Sequence, residues 1–327
     1  MTIRYDLATT LQPYPLQAPV NASPLADMQA LGNLLARRTI SPMASAVAGI
    51  AGRLHLANPG ALFTATNGLQ GAHEAVVRMQ GASGIIRLTP DDKNLSAYDG
   101  ISEDFGLLNG FRIPMDTLLE QDPSNTLVLS SPNGISGRII NLPEVVDLAR
   151  HFRMVVIDEH LAAFNLRRLN ALVLEWENIV FVQRFPFRMP GQRSEFGWIL
   201  HPTSLGARIR EHADSLPQTT IDEALKYGGI NTSTAARRVA RTKSQLYREL
   251  RKLSILSVPY PSWSNCLLAK IERGDRDEIV QQLADRGIAV YAPPHDNLQQ
   301  HIRVTAVSHE ATIALRDALI EINLEIG

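Results

Sequence analysis

Short apolar runs rich in valine and isoleucine recur through the middle of the chain, at Gly84–Leu88, Thr126–Leu129, Met154–Asp158, Ile179–Gln183 and Gly197–His201. Such runs, without polar alternation, are buried on both faces, and the helical stretches between them predict βαβ units of a mainly parallel sheet. Asn141-Leu142-Pro143-Glu144 opens one crossover helix, with an Asn cap followed by Pro and an acid in the first turn. Near the start, Pro13, Pro15, Pro19 and Pro24 remove backbone donors and predict an extended arm. An i, i+3, i+4 spacing then predicts an amphipathic helix over Ala26–Arg38. A long polar helix is predicted over Thr234–Leu253. Beyond it, strands at Cys266–Ile271, Ile288–Tyr291 and Ile302–Thr305 and helices at Asp277–Asp285 and Glu310–Ile322 predict a smaller α+β lobe.

The 327 residues suit about two domains at roughly 150 residues each. The expected division is an arm and helix over 1–40 that pack with the small domain or a partner subunit, a large domain over 41–230, and an interdomain helix with a small domain over 231–327. With 45% hydrophobic residues the chain can bury a core. Its net charge of −1 argues against electrostatic binding of nucleic acid or a membrane surface. A single cysteine, Cys266, leaves no internal disulfide and no cysteine-cluster metal site. His151, His201 and His295 show no ligand spacing, so no metal is expected. No run approaches the ~18 apolar residues of a membrane span, and Met1–Asp6 does not begin a secretory signal. Cytoplasmic localisation is the expectation.

Ligands of parallel sheets bind outside the carboxyl ends of the strands, which directs attention to Pro132–Gly137, Asp158–Leu161 and Phe185–Glu195. In these places the chain resembles the fold-type I pyridoxal-phosphate enzymes, specifically class I/II aminotransferases of the histidinol-phosphate aminotransferase kind. Ala65-Thr66-Asn67-Gly68 through Gly71-Ala72-His73-Glu74-Ala75 is similar to their helix-opening phosphate cup. Ser131-Pro132-Asn133-Gly134-Ile135-Ser136-Gly137 is similar to their Asn-Pro-Asn-Asn-Pro-Thr-Gly loop, and Val155-Val156-Ile157-Asp158-Glu159 to the strand ending in the aspartate that faces the pyridine nitrogen. Ser264-Asn265-Cys266-Leu267-Leu268 and Ile302-Arg303-Val304 resemble the small-domain segments that include the substrate-carboxylate arginine. The likeness runs from about residue 30 to 325.

That family needs a lysine that links to the cofactor's aldehyde and later shuttles the proton. Phe187 falls where the lysine is expected, and the chain has no lysine between Lys93 and Lys226. Pro186 replaces the preceding serine, and Glu195 stands where an arginine would pair with the phosphate, with Arg193 close enough to supply that charge after a small loop shift. Gly134 aligns with the asparagine that binds the pyridine hydroxyl, with Asn133 one place early. Leu161 stands for a tyrosine, Leu95 for the stacking aromatic and Thr39 for the dimer-crossing tyrosine.

The expected site residues follow from the resemblance. Asp158 is either a retained acid or a strand-end cap. His160 is a candidate general acid–base near neutral pH, or a histidine bonded at the sheet edge. Arg303 has the planar fork that grips a carboxylate, helped by Asn265 and Asn133, or else it makes a structural salt bridge. Gly71, Ala72 and His73 form a vestigial anion cup, or a plain turn into a helix.

The sequence expectation is therefore an enzyme or binder without cofactor, built on the aminotransferase fold and holding an amino-acid-like carboxylate. Two alternatives stand beside it: a non-catalytic subunit paired with an active homologue, and an enzyme that binds pyridoxal phosphate only non-covalently. A homodimer is implied by the resemblance. The basic stretch Arg237–Lys252 also resembles a Fis-type helix-turn-helix, but its turn at Ala240–Lys243 lacks glycine, and a solvated interdomain helix is expected instead.

Overall fold

The computed structural model describes residues 3–11, 62–81, 84–164, 169, 172–173, 175–184, 196–215 and 232–326. The predicted helix over 26–38, the arm beyond residue 11, Thr39 and the segment 185–195, Phe187 included, lie outside the described residues. So do both expected domain boundaries, at 40/41 and 230/231.

A two-residue strand, β1 (Tyr5–Asp6), precedes the main layer. That layer holds β2 (Phe63–Asn67), β3 (Ile85–Thr89), β4 (Glu103–Gly106), β5 (Thr126–Ser130), β6 (Met154–Asp158), β7 (Ile179–Arg184) and β8 (Phe196–Leu200). Their order across the sheet is β2-β8-β7-β6-β5-β3-β4. Pairings from β4 to β7 are parallel, and β8 runs antiparallel to both its neighbours. The mainly parallel α/β sheet expected from the sequence is present.

The pleat explains the continuous apolar runs. Leu127, Leu129, Val155, Ile157 and Phe181 face one side and pack on Val145 and Leu148, from the helix Leu142–His151. Val128, Val156, Val180 and Val182 face the other and pack on Leu69, Ala72 and Val76, from the helix Gly68–Gln80. Each such side chain, removed from water on both faces of the sheet, contributes roughly 1.5–3 kcal/mol. The Asn141 signal holds: its backbone N–H donates to Glu144 Oε2 at 2.8 Å, and its carbonyl accepts from Val145 at 3.1 Å.

The helices in chain order are α1 (Gly68–Gln80), α2 (Met115–Leu119), α3 (Leu142–His151), α4 (Gly206–His212), α5 (Thr232–Leu250), α6 (Arg276–Asp285) and α7 (His309–Ile326). α5 is continuous through Ala240–Lys243, where a helix-turn-helix would need its turn. It leads to the smaller sheet of β9 (Leu256–Ser257), β10 (Cys266–Ile271) and β12 (His301–Thr305), antiparallel in the order β12-β10-β9. The N-terminal strand β1 belongs to this lobe, pairing in parallel with β11 (Ile288–Ala289). Leu7, just after it, is buried in the lobe's core beside Leu267, Ile302 and Val304.

Candidate functional site

The carboxyl ends of β3, β5, β6 and β7 open toward the small lobe, and a cavity of about 600 Å³ lies there. Its walls come from three sources: the N-terminal segment with Ala8 and Thr10, the large layer with Gln70, Asp92, Lys93 and Asn94, and Arg303 of the small lobe.

Beneath this cavity lies a buried hydrogen-bonded chain. Asp158, at the end of β6, accepts at Oδ1 from the His160 backbone N–H (2.8 Å) and from His160 Nδ1–H (2.9 Å). Its Oδ2 accepts from His73 Nε2–H at 3.1 Å, and the Tyr98 hydroxyl donates to His73 Nδ1 at 3.1 Å. On its outer side, His160 Nε2 faces Asn94 Nδ2 at 3.2 Å and Asp92 Oδ2 at 3.6 Å. Asp92 and Asn94 thus join the cavity wall to the buried pair.

The charges follow from these contacts. Burial alone would raise the Asp158 carboxyl, but His160 and His73 outweigh it and hold the group well below the usual carboxylate range. Asp92 is likewise held low against its burial, by His160 and Arg303. Burial would lower His160, yet Asp158 and Asp92 bring it up to about 9. Asp91 differs from its neighbour: burial and the charge of Asp92 push it up to about 7.

The structure distributes the expected site residues as follows. Asp158, His160 and Arg303 come together through Asp92, whose Oδ2 lies 3.3 Å from Arg303 Nη1. Asn133 is committed to structural bonds: Nδ2 donates to Pro90 O in the loop after β3, and Oδ1 accepts from Ile135 N, Ser136 N and Ser136 Oγ of its own turn. Asn265 Nδ2 donates to Thr10 O at 2.7 Å, while its buried Oδ1 has no partner among the described residues. Gly71 and Ala72 lie inside α1, directly after the first-turn amides of Gly68, Leu69 and Gln70, which have no intrahelical acceptor. No side chain caps that first turn. His73 turns away from the helix end to Asp158. Leu95 and Leu161 are buried, Leu95 packing beside Tyr98 and Ala72. Among the described residues no group of three or more His, Cys, Asp or Glu is arranged to hold a metal, and no helix is long and apolar enough to cross a membrane.

Asp92 is the site residue that sequence reasoning missed. The signal was present: Pro90-Asp91-Asp92 directly follows β3, and the strand-end rule applies there as it does after β5 and β6.

Comparison with known proteins gives a consistent picture. No family model matches the chain. Histidinol-phosphate aminotransferase 1, chloroplastic, of Arabidopsis thaliana is 23% identical over 208 residues, 62% of this chain and 50% of that protein. The histidinol-phosphate aminotransferase of Thermococcus kodakarensis is 28% identical over 207 residues, 61% and 57% of the two chains. The matched stretch therefore spans only about half the length of these curated relatives. Among solved structures, the histidinol-phosphate aminotransferase of Sinorhizobium meliloti in complex with pyridoxal-5'-phosphate superposes with a TM-score of 0.74 at 17% identity, over 99% of this chain and 92% of that one. L-threonine-O-3-phosphate decarboxylase of Porphyromonas gingivalis gives 0.67 at 17%, over 98% and 99%. The fold is that of the fold-type I pyridoxal-phosphate aminotransferases.

One expectation is corrected. The sequence pointed to a protein without cofactor because Phe187 stands at the expected lysine. The S. meliloti neighbour was solved with pyridoxal 5'-phosphate bound, and this precedent points to that cofactor rather than to none.

Proposed function

We propose that this chain binds pyridoxal phosphate through contacts other than a lysine at position 187, and that it acts on an amino-acid-like substrate. The carrying observation is Asp158, an ionised, fully buried carboxylate at a strand end beneath the cavity.

The residues present suit the cofactor. A carboxylate has about four lone-pair directions, and three at Asp158 are taken, two on Oδ1 and one on Oδ2. The fourth has no partner among the described residues, and a protonated ring nitrogen would take it once the cofactor reached the buried carboxylate. The uncapped amides of α1, at Gly68 to Gln70, suit a phosphate, with Leu69 and Gln70 on the cavity wall. Bound there, the cofactor would supply an electron sink for charge developing at a substrate carbon.

The chain's own side chains have separate tasks in this reading. Arg303 takes the substrate carboxylate. His160, protonated below about pH 9, holds a proton at Nε2 and serves as an acid rather than a base at neutral pH. His73, oriented by Tyr98, keeps Asp158 ionised and aligned.

Titration of pyridoxal phosphate into the protein, followed by cofactor absorbance and tryptophan fluorescence, tests this. We expect saturable binding that gel filtration reverses even after borohydride treatment, and an Asp158→Asn variant weakened about tenfold or more. No saturation would overturn the reading. A stoichiometric borohydride-stable adduct on any lysine would overturn its non-covalent part. We also propose a homodimer, from the family resemblance, which sedimentation as a monomer at micromolar concentration would contradict.

A further inference from the structure

Arg303 is already occupied. Its Nη1 donates to Asp92 Oδ2 at 3.3 Å and to Gly134 O at 2.5 Å, and its Nη2 donates to Ala8 O at 2.8 Å. The Tyr291 ring lies against the guanidinium at 4.3 Å. Only Nε is without a partner among the described residues. Of the three acceptors on Arg303, Asp92 alone is charged, so it is the one that neutralises the guanidinium.

The position of Asp92 is built into the fold. A Cβ at Gly134 would meet Asp92 Cγ at 2.6 Å and Oδ2 at 2.7 Å, so the carboxylate fills room that only glycine leaves. Asn94 N–H donates to Asp92 Oδ1 at 2.9 Å, which leaves Oδ2 between the two cationic side chains. One is Arg303, and the other is His160, whose Nε2 is 3.6 Å from Oδ2.

We propose that Asp92 is a tethered carboxylate standing on Arg303 in place of a ligand, and that carboxylate ligands enter by exchange. The ligand's carboxylate takes the guanidinium, while Asp92 Oδ2 closes on His160 Nε2. This rests on the reading above that Arg303 receives the substrate carboxylate, and adds what governs access to it.

Electrostatics favour exchange over addition. Two carboxylates on one guanidinium in a buried site repel each other strongly, whereas after exchange the ligand has the guanidinium to itself and Asp92 shares the His160 imidazolium with Asp158, each on a different ring nitrogen. No bond is made or broken and no proton must move, since His160 Nε2 can donate to Asp92 as soon as they approach. A bare carboxylate gains only the difference between its own contact with Arg303 and the one it replaces. The cavity therefore selects ligands that bring further contacts, and Lys93, Gln70 and Thr10 line the same space. Asp92 is in this sense a specificity-determining residue.

Succinate is a suitable probe, with succinamide as its uncharged control, both measured by calorimetry on the full chain. Asp92→Asn should bind succinate about tenfold tighter than wild type, without comparable gain for succinamide, and Arg303→Gln should abolish succinate binding in both backgrounds. Should Asp92→Asn fail to fold, Asp92→Ser removes the same charge with a smaller side chain. Equal or weaker succinate binding by the folded Asp92 variant, with dependence on Arg303 retained, would overturn the exchange while leaving Arg303 as carboxylate holder. If neither protein bound succinate at about 50 mM while pyridoxal phosphate still bound, both the exchange and the role of Arg303 would fall, but the cofactor reading would stand.

Discussion

Two neighbours compete for the outer nitrogen of His160. Asn94 Nδ2 at 3.2 Å is a donor and suits a neutral ring with its lone pair outward, whereas Asp92 Oδ2 at 3.6 Å suits an imidazolium. The charges decide it. Although burial opposes the cation, Asp158 and Asp92 carry His160 up to about 9, so at neutral pH the ring is charged and the Asn94 amide presents its oxygen. On these charges the candidate general acid–base is protonated at neutral pH and gives up its proton near pH 9. Because the folded value lies above the ordinary 6.5, the stabilisation is complete below about pH 6.5 and is lost as pH rises through about 9. The shift amounts to about 3 kcal/mol. Thermal midpoints from pH 6 to 10 should fall steeply for the wild type and be flatter for His160→Gln; parallel curves would show that His160 is not the titrating group.

At the scale of elements, three pieces are clipped together beside the cavity. Lys243 of α5 donates from Nζ to Ser262 O and Ser264 O at 2.7 Å each, ahead of β10, and burial pushes its pKa down. Trp263 N–H donates to Gly137 O at 2.8 Å, tying that loop to the turn after β5. Gly137 has φ 71°, and a Cβ there would fall 2.1 Å from Ser262 Oγ and 2.6 Å from Ser264 Oγ. Gly137→Ala should cost about 2–4 kcal/mol in denaturant unfolding, since left-handed backbone and close approach act together; a loss under 1 kcal/mol would mean that the clip yields easily. The central strands of this architecture were legible because Val155, Ile157, Phe181 and their neighbours are apolar on both faces. β2 was not, because its inward Thr64 and Thr66 are polar and satisfied only by tertiary partners, the His201 ring and Gly68 O. The exposed edge strand β4 and the two-residue β1 carry no apolar run either. In the site, Asp158 could be singled out from its strand end and Arg303 only from the family resemblance, while the pairing of His73 with Asp158 depends on which face of α1 meets β6, and local spacing does not encode that.

Across the whole molecule, two buried histidines pull the pH dependence of folding in opposite directions. His201 follows β8 and is fully buried, its Nδ1–H donating to Pro202 O at 3.0 Å and its Nε2 accepting from Thr64 Oγ1 at 2.9 Å. Burial, outweighing the Pro202 carbonyl, lowers it to about 4. Its folded value lies below the unfolded 6.5, so the unfolded chain binds more protons between those limits, and stability falls as pH drops from about 6.5 toward 4, by about 3 kcal/mol. Asp158 and Asp92, both held low, add to the acid loss below about pH 4. Asp91 works with His160 on the other side: raised to about 7, it stabilises fully below about pH 4 and its contribution is gone by pH 7. The large layer contains all of these groups, whereas the small lobe contributes Arg303, whose charge does not change over this range. Between about pH 4 and 6.5 the His201 and Asp91 slopes offset one another, so the unfolding midpoint should be level there and fall on either side, with His201→Gln moving its maximum toward pH 4 and His160→Gln flattening the alkaline limb. Each substitution should leave the other limb in place, because His201 hydrogen-bonds at the β2–β8 edge and His160 at the cavity floor. A profile in which either variant flattened both limbs would mean that the two sites unfold through one coupled network.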